Sequence, residues 1–184
     1  IAYRLDASGV LTGNSITLAA NDADSRHILY KPAVVREASR FLLAWHMSFN
    51  HGESEVRIAA VPDGATSVTS ERLVIWPGIT SRIALGARGT QRIVLVSVSV
   101  LNTIAPPDLY SMSVTPSLTG ETPRLVAWSA TSQKRIEAAA GDNGFGLVWA
   151  EDGPDNATHV TFRRVSRMGA MQGPALAVSR IPAG

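Results

Sequence analysis

The stretch RFLLAWH, residues 40–46, is a short apolar run that ends in Trp45 and His46. Whether it is one strand among unrelated strands or one copy of a recurring unit decides the fold. It recurs. Residues 144–151 read GFGLVWAE, and aligning Phe145 with Phe41 sets Trp149 on Trp45, 104 residues along the chain. At the midpoint lies RIVLVSV, residues 92–98, with Ile93 in the Phe position and Ser97 in the Trp position. Three apolar runs at a spacing of 52 residues point to a repeat architecture, and a period of that size is settled before any other fold reading.

The flanks repeat as well. Before each run lies another short apolar stretch: PAVV (32–35), RIALG (82–86) and RIEAAA (135–140). Turn-forming residues separate the two: REAS, ARGTQ and GDNG. This is a hairpin signal, since Gly, Asp and Asn reach the positive φ values that tight turns need. After each run comes a long polar loop, then an alternating strand: EVRIAAV (55–61), LYSMSV (109–114) and HVTFRRV (159–165). A fourth strand ends each copy: RLVIW (72–76), RLVAW (124–128) and ALAVS (175–179). The units therefore span 31–76, 82–128 and 135–179. Residues 1–20 match the last two strands of a copy, with Arg4 and Gly9 in register with Arg164 and Gly169.

Four-stranded antiparallel units at this interval predict an all-β chain, a β-propeller segment of about 3.5 blades. The first strand of each blade then lines a central channel and the fourth lies at the rim. The second strand is buried on both faces, which is why FLLAW, IVLVS and FGLVW are continuous apolar runs and not alternations. Trp45 and Trp149 are expected between blades. The competing fold is a pair of β-sandwiches, in which the 52-residue recurrence would be coincidence.

Composition agrees with many short strands. The chain has 184 residues, of which 45% are hydrophobic, enough for a sizeable core, and only 17% charged, too few for long solvated helices. Its 15 Gly and 10 Pro supply frequent turns. Of 17 basic residues 15 are Arg, scattered along the chain, whereas nucleic-acid binders concentrate their charge on one face. Nucleic acid is therefore not an expected partner. Cysteine is absent, which excludes disulfides, thiolate metal sites and Cys nucleophiles. No apolar run approaches the roughly 18 residues of a membrane span.

The pattern resembles the degenerate propeller repeats of bacterial surface and secreted proteins. In those, an inner strand precedes a G-x-x-[FY]-L-hydrophobic-hydrophobic-W run, a polar loop and a strand ending near D-x-x-G. The resemblance rests on Gly144–Trp149, Arg40–Trp45, Asp6–Gly9 and Asp63-Gly64, and covers nearly the whole chain. The middle copy departs from it at Ser97 and lacks the Asp-x-x-Gly after Val114. The resemblance implies fold and an extracellular or envelope location, and carries no catalytic residue across. A ring commonly needs six to eight blades, so another polypeptide, a separate chain or the rest of a processed precursor, is expected to complete it.

Loops joining second to third and fourth to first strands emerge on one face. Candidate ligand-binding residues there are His46, His51, Glu53, Asp108, Asp152 and His159, with Trp76 and Trp128 at the ends of fourth strands as candidates for stacking on sugar rings. Glu151, Asp152 and Asp155 form an oxygen-rich stretch and are candidate calcium ligands, although their spacing matches no defined calcium loop. No other cofactor is expected. The chain has no G-x-S-x-G elbow, P-loop or H-E-x-x-H pattern. The expected function is a non-enzymatic scaffold or binding module. The alternatives are part of a propeller hydrolase or lyase, with Glu151, Asp152 and His46 as acid and base, or a carbohydrate-binding propeller.

Overall fold

The computed structural model describes residues 8–13, 15, 28–48, 53–68, 70–76, 78–99, 108–127, 133–152 and 157–181. These are all-β, with no helix among them, so none long and apolar enough to cross a membrane. The first sheet holds β1 (Ile28–Glu37), β2 (Arg40–Ser48), β3 (Ser54–Pro62) and β4 (Ser70–Trp76). The second holds β5 (Ile79–Arg88), β6 (Gln91–Ser99), β7 (Asp108–Val114) and β8 (Arg124–Ala127). The third holds β9 (Gln133–Gly141), β10 (Gly144–Asp152), β11 (Thr158–Val165) and β12 (Met171–Ile181). In each sheet the strands lie side by side in chain order, antiparallel throughout. The half copy expected at 1–20 lies largely outside the described residues.

Tight turns dictate this order. Pairs Glu37↔Arg40, Arg88↔Gln91 and Gly141↔Gly144 close two-residue hairpins, so consecutive strands must return beside one another. These closing pairs also fix which residues correspond. Trp45, Val96 and Trp149 stand at the same place, five residues into the second strand. This corrects the even spacing read from the sequence, which set Ser97 opposite the two Trp residues. The three runs are offset by one residue, and in a strand a slip of one moves a side chain to the other face. Register irregularities correspond too. The first pairing of each sheet is interrupted at Tyr30/Ala33, Thr80/Arg82 and Ala150/Glu151. The pairing of third with fourth strand is interrupted at Val56/Arg57, Leu109/Tyr110 and Val160/Thr161. Such bulges increase local twist.

The sheets pack face to face in chain order, with β1 against β5 and β5 against β9. Leu42, Ala44, Val56 and Ile58 of the first sheet meet Val94, Val96, Val98 and Met112 of the second. On the other face of β6, Ile93 and Leu95 meet Phe145, Leu147 and Trp149 of the third sheet. Every residue from Arg92 to Val98 is buried, as an apolar run without alternation requires. Trp149 lies between sheets, where it was expected. Trp45 is buried with Leu43, Met47, Ala59 and Val61 on the face of the first sheet turned away from the second. Each buried Trp contributes about 4–6 kcal/mol on area alone.

Hydrogen bonds between sheets fix the alignment of these faces. The Thr80 N–H donates to Ser54 Oγ at 2.8 Å, tying the second sheet to the first. Ser111 Oγ donates to the Gly169 carbonyl at 3.0 Å, and Arg163 Nη1 to the Val126 carbonyl at 2.7 Å, tying the second to the third. Arg88 and Asp142 form an ion pair between adjacent hairpin turns.

Candidate functional site

The ends of β2, β6 and β10 and the starts of β3, β7 and β11 share one edge of the three sheets. Several candidate residues lie along it. Glu53 is exposed just before β3. Asp108 opens β7 opposite Val98, half-buried on the side that faces the first sheet. Its charge, together with burial, raises the pKa of Tyr110, burial being the larger cause. In the third sheet Glu151 stands opposite His159 and Asp152 opposite Thr158. Thr161 Oγ1 donates to Glu151 Oε1 at 3.1 Å, and Thr158 Oγ1 to Asp152 Oδ1 at 3.3 Å.

His46 differs from its expected place. It is not in a loop. β2 runs on to Ser48, and His46 alternates with Leu42 and Ala44, so it points between the first and second sheets and is fully buried. Burial lowers its pKa to about 4, so it is neutral at physiological pH. A ligand at the loop edge does not reach it, and the middle sheet separates it from Glu151 and Asp152.

Glu151 and Asp152 are adjacent in β10, and strand alternation sends neighbouring side chains to opposite faces. The two carboxylates therefore diverge. Among the described residues no group of three His, Asp or Glu is close enough to hold a metal ion. Asp155, His51 and Trp128 lie outside the described residues. Trp76 ends β4 opposite Ser54, with its side chain outside them also.

Sequence reasoning did not single out the cleft where the three first strands meet. It has a volume of about 460 Å³ and is walled by Pro32–Val34, Arg82–Leu85 and Arg135–Glu137. Arg82 and Arg135 occupy corresponding register positions, opposite Ser97 and Ala150, each beside the bulge of its hairpin. The signal in the sequence is the shared pair Arg-Ile at 82–83 and 135–136, which opens both apolar stretches. Two guanidinium groups and one carboxylate, Glu137, suit this cleft to binding a polar or anionic group. They supply no nucleophile. The chain matches no protein-family model and no curated protein.

Proposed function

We propose that the chain is a segment of a β-propeller, built from degenerate four-stranded blades, that acts as a binding or assembly scaffold and is completed by another polypeptide. One observation carries the reading. Residues at corresponding positions are buried in the second sheet, which has a neighbour on both sides, and exposed in the third, whose outer face has none among the described residues. The shared bulges and the meeting of first strands around a cleft support a radial arrangement of the sheets. A further four-stranded sheet is the occupant that suits this outer face.

The hydrolase or lyase reading needs carboxylates facing one another near the axis. The cleft there presents one carboxylate beside two Arg residues, which favours binding over acid–base chemistry.

Hydrogen exchange tests the scaffold reading. The β12 amides should exchange within seconds in the isolated chain and become protected in the assembly purified from the native source, together with a second polypeptide identified by native mass measurement. A native monomer whose β12 amides are already protected would overturn it.

A further inference from the structure

We infer that the cavity between the β1–β2 and β5–β6 hairpin turns is a binding site for an oxyanion, a phosphate or sulfate group, with Arg40 as its principal donor. The cavity has a volume of about 480 Å³ and lies at the edge of the sheets opposite the loop edge. Four Arg residues line it, Arg36, Arg40, Arg88 and Arg92, against one carboxylate, Glu37. Glu37 serves two of them. It accepts from Arg92 Nε at 2.6 Å and from Arg40 Nε at 2.9 Å. That cluster therefore holds one guanidinium more than it has carboxylates.

The four Arg residues play different parts. Arg92 is buried and bonded through all three nitrogens, its Nε and Nη2 to Glu37 and its Nη1 to the Thr115 carbonyl. Arg40 is partly exposed and, among the described residues, bonds only through Nε, which leaves both Nη groups to face a ligand. A pair of parallel Nη donors matches the geometry of a phosphate or sulfate. Arg36 is held in place by Asp63, at 2.5 and 2.7 Å, and by the Phe41 ring, 4.6 Å from its guanidinium carbon. Arg88 pairs with Asp142. Both of these pairs are solvent-exposed, and exposed pairs hold their partners weakly enough for a guanidinium to be shared with an incoming anion. Ser39 and Thr90 of the two turns also line it.

The test is a titration of the full chain with inorganic phosphate and, separately, sulfate, at ionic strength held constant with chloride. Arg Nε–Hε resonances report the site. Saturable shifts of the Arg40 and Arg88 signals along one isotherm are expected, with either oxyanion. Arg40→Ala, which leaves the Glu37–Arg92 pair intact, should weaken binding about tenfold, as loss of a charge-assisted bidentate contact does. Arg88→Ala, at an exposed side chain, should also weaken it and serves if the first variant folds poorly. Arg40→Lys should recover only part of the affinity, because an ammonium cannot offer the two-pronged contact. Shifts that chloride reproduces at equal ionic strength, or unchanged affinity in both alanine variants, would overturn the proposal.

Discussion

Glu37 at the end of β1 accepts two hydrogen bonds from Arg92 of β6, Nε to Oε1 at 2.6 Å and Nη2 to Oε2 at 3.0 Å, so a buried ion pair joins the first sheet to the second. The side chains are 7% and 1% exposed. Burial alone would raise the Glu37 pKa, but the hydrogen bonds from Arg92 and Arg40 outweigh it and the net shift is downward. Removing Glu37 leaves the buried Arg92 charge without its carboxylate, which costs about 3–5 kcal/mol, whereas removing Arg92 leaves Glu37 with Arg40 alone. Glu37→Met should lower stability by that order in urea unfolding, and Arg92→Met by somewhat less. The double variant should lose less than either single one, because an apolar pair in the same space carries no desolvation cost. Equal losses in all three variants would mean that packing, and not the pairing, sets the cost.

His46 gives the chain a second dependence on pH. Its folded pKa of about 4 lies below the ordinary value of 6.5. Between these values the unfolded chain binds a proton that the folded chain refuses, so stability falls as pH drops from 6.5 and levels off below 4. The full difference is about 3 kcal/mol. Glu37 acts in a lower window. Its depressed pKa contributes stability above the ordinary carboxylate value, and that stability is lost as pH falls through the folded value. Urea midpoints measured from pH 7 to pH 4.5 should therefore decline in the wild type and flatten in His46→Leu. A wild-type profile flat over that range would show that His46 protonates in the folded chain.

Two glycines of the third sheet should respond differently to Ala. Gly144 closes the β9–β10 hairpin at φ +148°, where an added Cβ would meet the Val165 carbonyl oxygen at 2.1 Å. That neighbour is backbone at the end of β11, paired with Phe145 and Met171, and cannot move alone. Gly144→Ala should cost at least the 1–3 kcal/mol or so of backbone strain, and more where β11 is displaced. At Gly146 the nearest atom is Cε2 of the Phe162 ring, 2.9 Å away. That ring lies on the outer face of the third sheet and can tilt, so Gly146→Ala should cost about 1 kcal/mol. Thermal unfolding of both variants checks the order, and a larger loss at Gly146 would show that the Phe162 ring is fixed.

Much of this fold was legible because strand faces are written in residue type. The runs FLLAW, IVLVS and FGLVW sit in β2, β6 and β10, and the alternating EVRIAAV and LYSMSV fall in β3 and β7. Register was not legible. One residue more or less in a loop leaves composition untouched yet exchanges Ser97 for Val96 at the Trp position. His46 was misplaced because a polar residue after Trp45 reads as the start of a loop, while the strand continues as far as its partner β3 can pair with it. The Glu37–Arg92 pair spans 55 residues of sequence, so no local pattern announces it. The hint was Arg92 itself, which in the observed register stands where β2 has Phe41 and β10 has Phe145. A charge at an apolar position of a strand buried on both faces needs a partner.

The outer face of the third sheet yields the last prediction. Leu95 of β6 corresponds to Val148 of β10, and their exposures are 0% and 38%. Val126 of β8 corresponds to Val178 of β12 at the shared bulge, and here the exposures are 1% and 63%. Val148, Phe162 and Leu176 form a cross-strand row on this face, and Leu176 is also exposed. Apolar side chains in water beside β12, the outermost described strand of its sheet, favour association with whatever chain offers a matching sheet. Leu176→Lys with Val178→Lys should leave monomer stability within about 0.5 kcal/mol, since both side chains are more than half exposed. The same change should abolish concentration-dependent association in sedimentation velocity and prevent recovery of the native assembly. If the double variant unfolds at markedly lower urea while association persists, these residues pack within the chain, and the outer face is not the surface that a further sheet covers.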